Sequence, residues 1–187
     1  LYQLHDPPVE VLQRGEFVEP LELLKRQGKV RHWGVACHVP EDVLPSLHHA
    51  ALASIQVGLS VLEQAALDTA IPRAAESGVA VIARQVFASG LLTRPAGSLQ
   101  LQDIDSQPVV ASRKHQQLHA YALIALQCGR SQAEMALQFA LARHDISVVV
   151  LGISRPGHLE ETLRILNASG LSPEEQQLLI ASRRADP

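Results

Sequence analysis

Apolar and polar positions along this chain form two patterns: short continuous apolar runs of strand length, and longer segments with helical spacing. The clearest example begins at residue 146, where an apolar, mostly β-branched run extends to Leu151 and ends at Gly152. A polar turn of residues 154–156 follows, and then apolar residues recur at helical spacing (Leu159, Leu163 and Leu166). The pattern predicts a strand, a short loop and a helix. An entirely apolar strand is typical of a parallel sheet that is buried on both faces.

Four further apolar runs predict strands, at residues 1–4, 30–36, 54–59 and 79–83. Helical segments are predicted after them, at about 21–28, 40–48, 68–76, 109–127, 131–143 and 173 onward, whereas residues 93–107 read as a long loop. The tally is five strands, each followed by helix, with no hairpin signal. This alternation predicts a parallel α/β fold, either an open doubly wound sheet or a (β/α)₈ barrel.

Composition narrows the class of protein. The 187 residues carry a formal net charge of −3 and 47% apolar residues, which is typical of a soluble globular protein. We therefore expect no nucleic-acid partner and no membrane association. Cys37 and Cys128 form no CxxC pair, which indicates reduced thiols and a cytoplasmic protein. His115 and His119 share a helix face, but without a third ligand we predict no metal site.

Candidate chemistry gathers where the predicted strands end, which is where parallel α/β folds place their functional groups. These positions are His5-Asp6, Cys37-His38, Gln56, Arg84 with Ser89, and Gly152 to Arg155. Arg155 precedes a helix whose N-terminal N–H groups favour an anion, so a phosphate site is one interpretation. A surface arginine at an ordinary turn is the other. The chain contains no GxGxxG or GxxxxGK[ST] motif, which disfavours the common open-sheet nucleotide folds.

Five segments together resemble the C-terminal part of the aldo-keto reductase superfamily. LYQLHDP resembles the family's fourth barrel strand, GKVRHWGVACH its fifth, SIQVGLSVLEQ its sixth, GVAVIARQVFASGLL its seventh and LGISRPGHLEETL its eighth with the following loop. The five motifs occur in the family's order. The resemblance implies a (β/α)₈ barrel, of which residues 1–187 would form the C-terminal portion of a single domain. We expect the barrel to be incomplete at the N-terminus, with about five βα units present.

The resemblance also implies an activity, NADP(H)-dependent reduction of aldehydes or ketones to alcohols. Of the family's Asp, Tyr, Lys and His tetrad, only the histidine matches a position here, His5, which would lie at the substrate carbonyl. We therefore expect this chain to be inactive by itself. Its partner would be a small carbonyl or alcohol substrate, whose identity the sequence does not reveal. Open barrel edges would favour self-association.

By the same resemblance, a further set of residues would bind the cofactor. Gln56 would bond the nicotinamide carboxamide, Arg84 would lie on the nicotinamide ring, and Arg155 with Ser154 would bind the 2′-phosphate. The complete set of expected contacts is Gln56, Arg84, Ser89, Leu91, Gly152, Ser154, Arg155, His158 and Glu161.

Three positions depart from the family pattern. Ala36 replaces a serine and Cys37 an asparagine that hold the carboxamide, and Thr162 replaces an adenine-binding asparagine. Cofactor binding at the nicotinamide end would then be weakened, or re-routed through His38. These departures keep two alternatives open: a catalytically silent nucleotide-binding subunit of the same fold, and an unrelated phosphate-binding barrel such as an isomerase or aldolase.

Overall fold

The computed structural model describes residues 1–94 and 107–184. Most of the loop expected at 93–107 lies outside these residues. The chain divides into two compact units. The first comprises Leu1–Leu59, Ala65–Arg84 and His144–Val150, and the second comprises residues 60–64, 85–143 and 151–187.

A five-stranded sheet forms the centre of the first unit. Its strands are β1 (Tyr2–His5), β2 (Trp33–Ala36), β3 (Ser54–Gly58), β4 (Ala80–Arg84) and β5 (Val148–Val149). All neighbouring pairs are parallel, and the strand order is β1-β2-β3-β4-β5. A doubly wound sheet reverses its strand order at a switch point. The sequential order observed here is instead that of a (β/α) barrel, and it confirms the five predicted strands.

The prediction that the strand at 146–151 is buried on both faces is wrong. β5 pairs with β4 over only two residues. Val148 and Val150 remain 50% and 46% exposed. The pattern could not reveal this, because burial depends on a neighbour beyond the strand, and β5 is an edge strand within the described residues. In contrast, all four residues of β2 are buried.

Helices follow the strands, with bounds close to those predicted except for a short helix at residues 9–14, which was not predicted. They are α1 (Val9–Arg14), α2 (Val18–Arg26), α3 (Ala70–Glu76), α4 (Pro108–Gln127), α5 (Gln132–Leu141), α6 (Pro156–Leu166) and α7 (Pro173–Ala181). The segment predicted as a helix from Pro40 is a 3₁₀ helix, Pro40–Ser46, which contains a second proline at Pro45. Proline removes a backbone donor and disfavours the α conformation of the preceding residue, so this segment does not continue as an α-helix.

Arg130 joins several helices of the second unit. Its guanidinium donates to Glu175 on α7 with Nε at 2.8 Å and to Glu134 on α5 with Nη1 at 2.6 Å. Two further bonds reach the carbonyl oxygens of Ser169 and Gly170. The Arg130 guanidinium lowers the pKa of Glu175, and the hydrogen bonds that Arg130 donates to Glu175 and Glu134 raise its own pKa. This network fixes the positions of α5 and α7 within the unit.

Two helix starts in the second unit are capped by serine. Ser131 accepts from the backbone N–H of Glu134 at the start of α5, and Ser172 accepts from that of Glu175 at the start of α7. The reciprocal bond of a capping box forms only at the second of these, where the Ser172 backbone N–H donates to the Glu175 carboxylate. None of the helices in residues 1–94 and 107–184 combines the length and hydropathy that a membrane span requires.

Gly34 sets the spacing of β2 and β3 in the middle of the sheet. A Cβ atom at this position would lie 2.3 Å from Ser54 Oγ and 2.5 Å from the Ser54 carbonyl oxygen. Both distances are far inside van der Waals contact, and the second atom belongs to the backbone of the paired residue. A side chain at position 34 would therefore push the two strands apart.

We predict that Gly34→Ala lowers the free energy of unfolding by about 2 kcal/mol or more, because overpacking forces backbone shifts. The matched control is Gly157→Ala in α6, where nothing lies within 4 Å of the added methyl group. That change should leave stability unchanged or raise it by about 0.5 kcal/mol through helix propensity. Urea unfolding midpoints measure both, and equal midpoints for the two variants would contradict the close approach of β2 and β3.

Candidate active site

The parallel register brings several predicted site residues to the same edge of the sheet in the first unit. His5 ends β1 and is paired with Ala36 at the end of β2, and Ala36 is paired with Gln56 on β3. Arg84 ends β4 and is paired with Gly58. His5, Gln56 and Arg84 therefore lie at the carboxyl edge of the strands, as the sequence predicts.

Asp6 and His38 meet directly beyond this edge. The His38 backbone N–H donates to Asp6 Oδ1 at 3.0 Å, and His38 Nδ1 lies 3.5 Å from the same oxygen. The hydrogen bond from His38 holds the pKa of Asp6 below its ordinary value. The His5 and His38 rings lie edge to face with their centroids 5.9 Å apart. Two imidazoles and one carboxylate thus form a polar cluster at the ends of β1 and β2.

Arg84 contacts the segment after β2 rather than extending freely into solvent. Its Nη2 donates to the Cys37 carbonyl oxygen at 3.1 Å, and the side chain is half-buried. This bond was not predicted from the sequence, since it joins residues 47 positions apart. It holds one end of the guanidinium, and the remaining N–H groups are the ones that a ligand could use.

Cys37 is fully buried, and burial raises the pKa of its thiol to about 12. The nearby carboxylates of Asp42 and Asp6 raise it further, and only Arg84 acts in the opposite direction. A thiol with this pKa is protonated at neutral pH and is a poor nucleophile. Cys37 therefore has neither the reactivity of a redox cysteine nor the exposed polar group of the asparagine that it replaces.

The expected phosphate contacts belong to the second unit. Ser89 and Leu91 lie in the 3₁₀ segment Ala88–Thr93, where Ala88, Ser89 and Gly90 all have positive φ (47°, 56° and 88°). Two successive non-glycine residues in the left-handed region cost free energy, and such strain is concentrated in turns that carry ligands. The SGL sequence therefore forms a tightly constrained turn.

The start of α6 presents a cation and a hydroxyl to solvent. Arg155 is the N-cap residue, and Arg155, Ser154 and Gly152 are all exposed. Ser154 Oγ lies 3.4 Å from His158 Nδ1, one helical turn further along. Glu161 is half-buried on the same helix. Thr162 is buried, and its hydroxyl donates to the His158 carbonyl oxygen at 2.7 Å. Its hydroxyl is thus occupied within the helix, so Thr162 does not substitute for an asparagine.

In the second unit the residues at the start of α6 suit a phosphate group, whereas in the first unit the end of β2 offers few partners for a carboxamide. An exposed arginine and serine at a helix N-terminus suit a phosphate group. At the end of β2, however, Ala36 offers no polar side chain and Cys37 is buried. Besides His5, Asp6 and Arg84, this edge of the sheet retains the Gln56 amide and the His38 imidazole.

Comparison with known proteins indicates the same family that the sequence motifs resemble. A family model described as "Aldo/keto reductase family" matches residues 1–182. An uncharacterized oxidoreductase of Bacillus subtilis is 26% identical over 187 residues, which cover all of this chain and 60% of the relative. A pyridoxal 4-dehydrogenase of Microbacterium luteolum is 26% identical over 161 residues, which cover 85% of this chain and 46% of the relative.

Solved structures agree. An aldo-keto reductase of Bacillus halodurans in its holo form matches with a TM-score of 0.78 and 25% identity, over 97% of this chain and 59% of that one. A glycerol dehydrogenase of Gluconobacter oxydans, at 23% identity, matches in fold with a TM-score of 0.74 over 99% of this chain and 59% of that one.

The chain thus spans 46–60% of the length of these curated relatives. Its five parallel strands correspond to part of the eight-stranded barrel of its structural neighbours, which confirms the predicted fold class. With the family model covering residues 1–182, the chain belongs to the aldo/keto reductase family.

Proposed function

We propose that this chain carries the NADP(H) site and the substrate-orienting histidine of a reductase that converts aldehydes or ketones to alcohols. The observation that carries the proposal is the exposed Ser154-Arg155 pair at the N-terminus of α6, in a chain that belongs to the aldo/keto reductase family. A helix N-terminus, a hydroxyl and a guanidinium together suit a dianionic phosphate. A free 2′-phosphate is the group by which NADP(H) differs from NAD(H).

The remaining contacts follow the family assignment. Ser89, Leu91 and Gly152 contact the pyrophosphate region, and His158 with Glu161 contact the adenosine. Gln56 and Arg84 contact the nicotinamide end. His5 donates a hydrogen bond to the carbonyl oxygen of the substrate, which polarises the carbonyl group. NADPH, when bound, supplies the hydride that reduces the carbonyl carbon.

The tyrosine that donates the proton in the family has no counterpart beside His5 among the described residues. The chain has two tyrosines. Tyr121 is buried and donates its hydroxyl to the Gln132 carbonyl oxygen. Tyr2 is three residues from His5 on β1, so its side chain points to the opposite face of the sheet. We therefore propose that the donor lies in the part of the family barrel that this chain does not span, and that the chain alone is inactive.

A second candidate is a nucleotide-binding subunit of the same fold that does not catalyse. The burial of Cys37 and the internal hydrogen bond of Thr162 favour it, because both remove cofactor contacts. Any sequence that precedes β1 in the whole protein would discriminate the reductase from the silent subunit, since a silent member lacks the Asp, Tyr and Lys of the tetrad.

We predict that Arg155→Ala weakens NADPH binding by roughly tenfold or more, because a charge-assisted bond to phosphate contributes about 1.5–3 kcal/mol. NADH binding should change little, since NADH lacks the 2′-phosphate. The matched control is Arg164→Ala, which removes an exposed arginine from the last turn of the same helix. Fluorescence titration with both nucleotides measures these affinities. Equal NADPH affinities for the Arg155 and Arg164 variants would contradict the assignment of the phosphate site.

We further predict that the chain self-associates in solution. Leu1 and Tyr2 at one edge of the sheet are 61% and 49% exposed, and Val148 and Val150 at the other are about as exposed. Gln3 Nε2 is buried without a hydrogen-bond partner in the described residues. Open edges and exposed apolar side chains favour pairing with another chain. Light scattering should give a mass above 20.3 kDa, and a monodisperse monomer would contradict the expectation.

A further inference from the structure

The segment Cys37–His38 is attached to three neighbouring strands. The Cys37 N–H donates to the Gln56 carbonyl oxygen on β3 at 3.2 Å, and the Cys37 carbonyl accepts from Arg84 on β4. The His38 N–H donates to Asp6, which directly follows β1. Three bonds from three strands leave this segment little freedom. His38 is the last residue of this constrained segment, and its side chain is exposed.

Asp6, which accepts the bond from the His38 N–H, has a strained backbone conformation. Its φ is 48°, in the left-handed region that non-glycine residues rarely adopt, although aspartate and asparagine tolerate it best. The Asp6 N–H donates to the Ala36 carbonyl at 2.7 Å, which fixes the backbone, and the carboxylate is thereby directed at His38. A strained residue whose side chain orients a neighbour is a pattern that occurs at ligand sites.

The orientation of the His38 ring has a chemical consequence. The Asp6 carboxylate lies on the Nδ1 side at 3.5 Å, which favours a proton on Nδ1 and leaves Nε2 for another partner. The other ionisable groups near this segment are His5, whose ring faces that of His38, and Arg84 and Asp42, which act on Cys37. The carboxylate of Asp6 disfavours an anionic ligand here.

A neutral ligand that both donates and accepts hydrogen bonds suits this edge of the sheet. An imidazole with a free Nε2 can accept from an amide N–H, whereas Ala36 and the buried Cys37 cannot. Gln56 lies level with the end of β2, because it is paired with Ala36. Its side-chain amide can both donate to and accept from such a group. A primary carboxamide, the polar group of nicotinamide, matches this set of partners.

We propose that Asp6 is a positioning residue that fixes His38, and that His38 binds the nicotinamide carboxamide in place of the side chains absent at Ala36 and Cys37. This inference rests on the proposed function, because it presupposes that NADP(H) is the ligand. It explains how a chain with two substitutions at this site retains a binding group for the carboxamide.

Two Asp6 variants separate the hydrogen bond from the backbone strain. Asp6→Asn tolerates a positive φ and keeps an acceptor oxygen, whereas Asp6→Gly tolerates the same φ and has no acceptor. Amide hydrogen exchange of the 187-residue chain at neutral pH reports the bond directly. The His38 amide should exchange about tenfold faster in Asp6→Gly than in Asp6→Asn, as expected for loss of a bond to a polar acceptor. Equal exchange rates would overturn the positioning role, whether or not the chain binds nucleotide.

Nucleotide binding tests the role of His38. NADPH carries the carboxamide, and adenosine 2′,5′-bisphosphate carries the 2′-phosphate without it. His38→Ala and Asp6→Gly should each weaken NADPH binding about tenfold and leave the bisphosphate affinity unchanged, whereas Asp6→Asn should stay near wild type. The matched control is His32→Ala, an exposed histidine just before β2, at its opposite end, which should change neither affinity.

The outcomes separate the two proposals. If wild type binds both ligands and His38→Ala binds NADPH equally well, the role of His38 is wrong and the NADP(H) site stands. If both affinities fall together in His38→Ala, the residue supports the fold and does not contact the carboxamide. If wild type binds neither ligand, the proposed function and the carboxamide role both fail, and hydrogen exchange alone decides whether Asp6 positions His38.

Discussion

Parallel pairing of five consecutive strands is the constraint on which the rest of this structure depends. Because every strand runs in the same direction, the residues that follow β1, β2, β3 and β4 all emerge at one edge of the sheet. This geometry brings His5, Asp6, His38, Gln56 and Arg84 to one edge although they are far apart in sequence. The register of the strands is maintained by close packing. The packing is tightest at Gly34, where only a hydrogen atom fits against Ser54.

The sequence was sufficient to predict the strands, their direction and the residues at their ends. Apolar runs and breakers are local features, so each predicted strand overlaps an observed one, although the observed β2 and β5 are shorter than predicted. The same local information did not reveal which apolar residues are buried. Leu159, Leu163 and Leu166 have the spacing of a buried helix face, yet they are 47–51% exposed, while Ile165 is buried. Burial depends on the elements beside a helix, which spacing alone does not specify.

Interactions within the candidate site were the least predictable. Asp6 and His38 are 32 residues apart, and their bond depends on the register of β1 against β2 and on a left-handed residue after β1. The bond from Arg84 to Cys37 spans β2 to β4 in the same way. The resemblance to aldo-keto reductases indicated which residues to expect at the site. Only the structure shows that several of them bind one another. It also shows that the Cys37 side chain is buried and that the Thr162 hydroxyl is bonded within its own helix.

The proposed function places some of the catalytic groups on this chain and the others on the part of a family barrel that it does not span. In the proposed function, the chain holds a histidine for the carbonyl and a phosphate site, but no tyrosine beside His5 that could donate a proton. The most direct test is NADPH oxidation with a panel of aldehydes, by the chain alone and by the chain joined to the part of its Bacillus subtilis relative that the match does not cover. The account predicts no turnover from the chain alone, turnover from the joined protein, and loss of that turnover in His5→Ala. Equal turnover by the chain alone and the joined protein would contradict it.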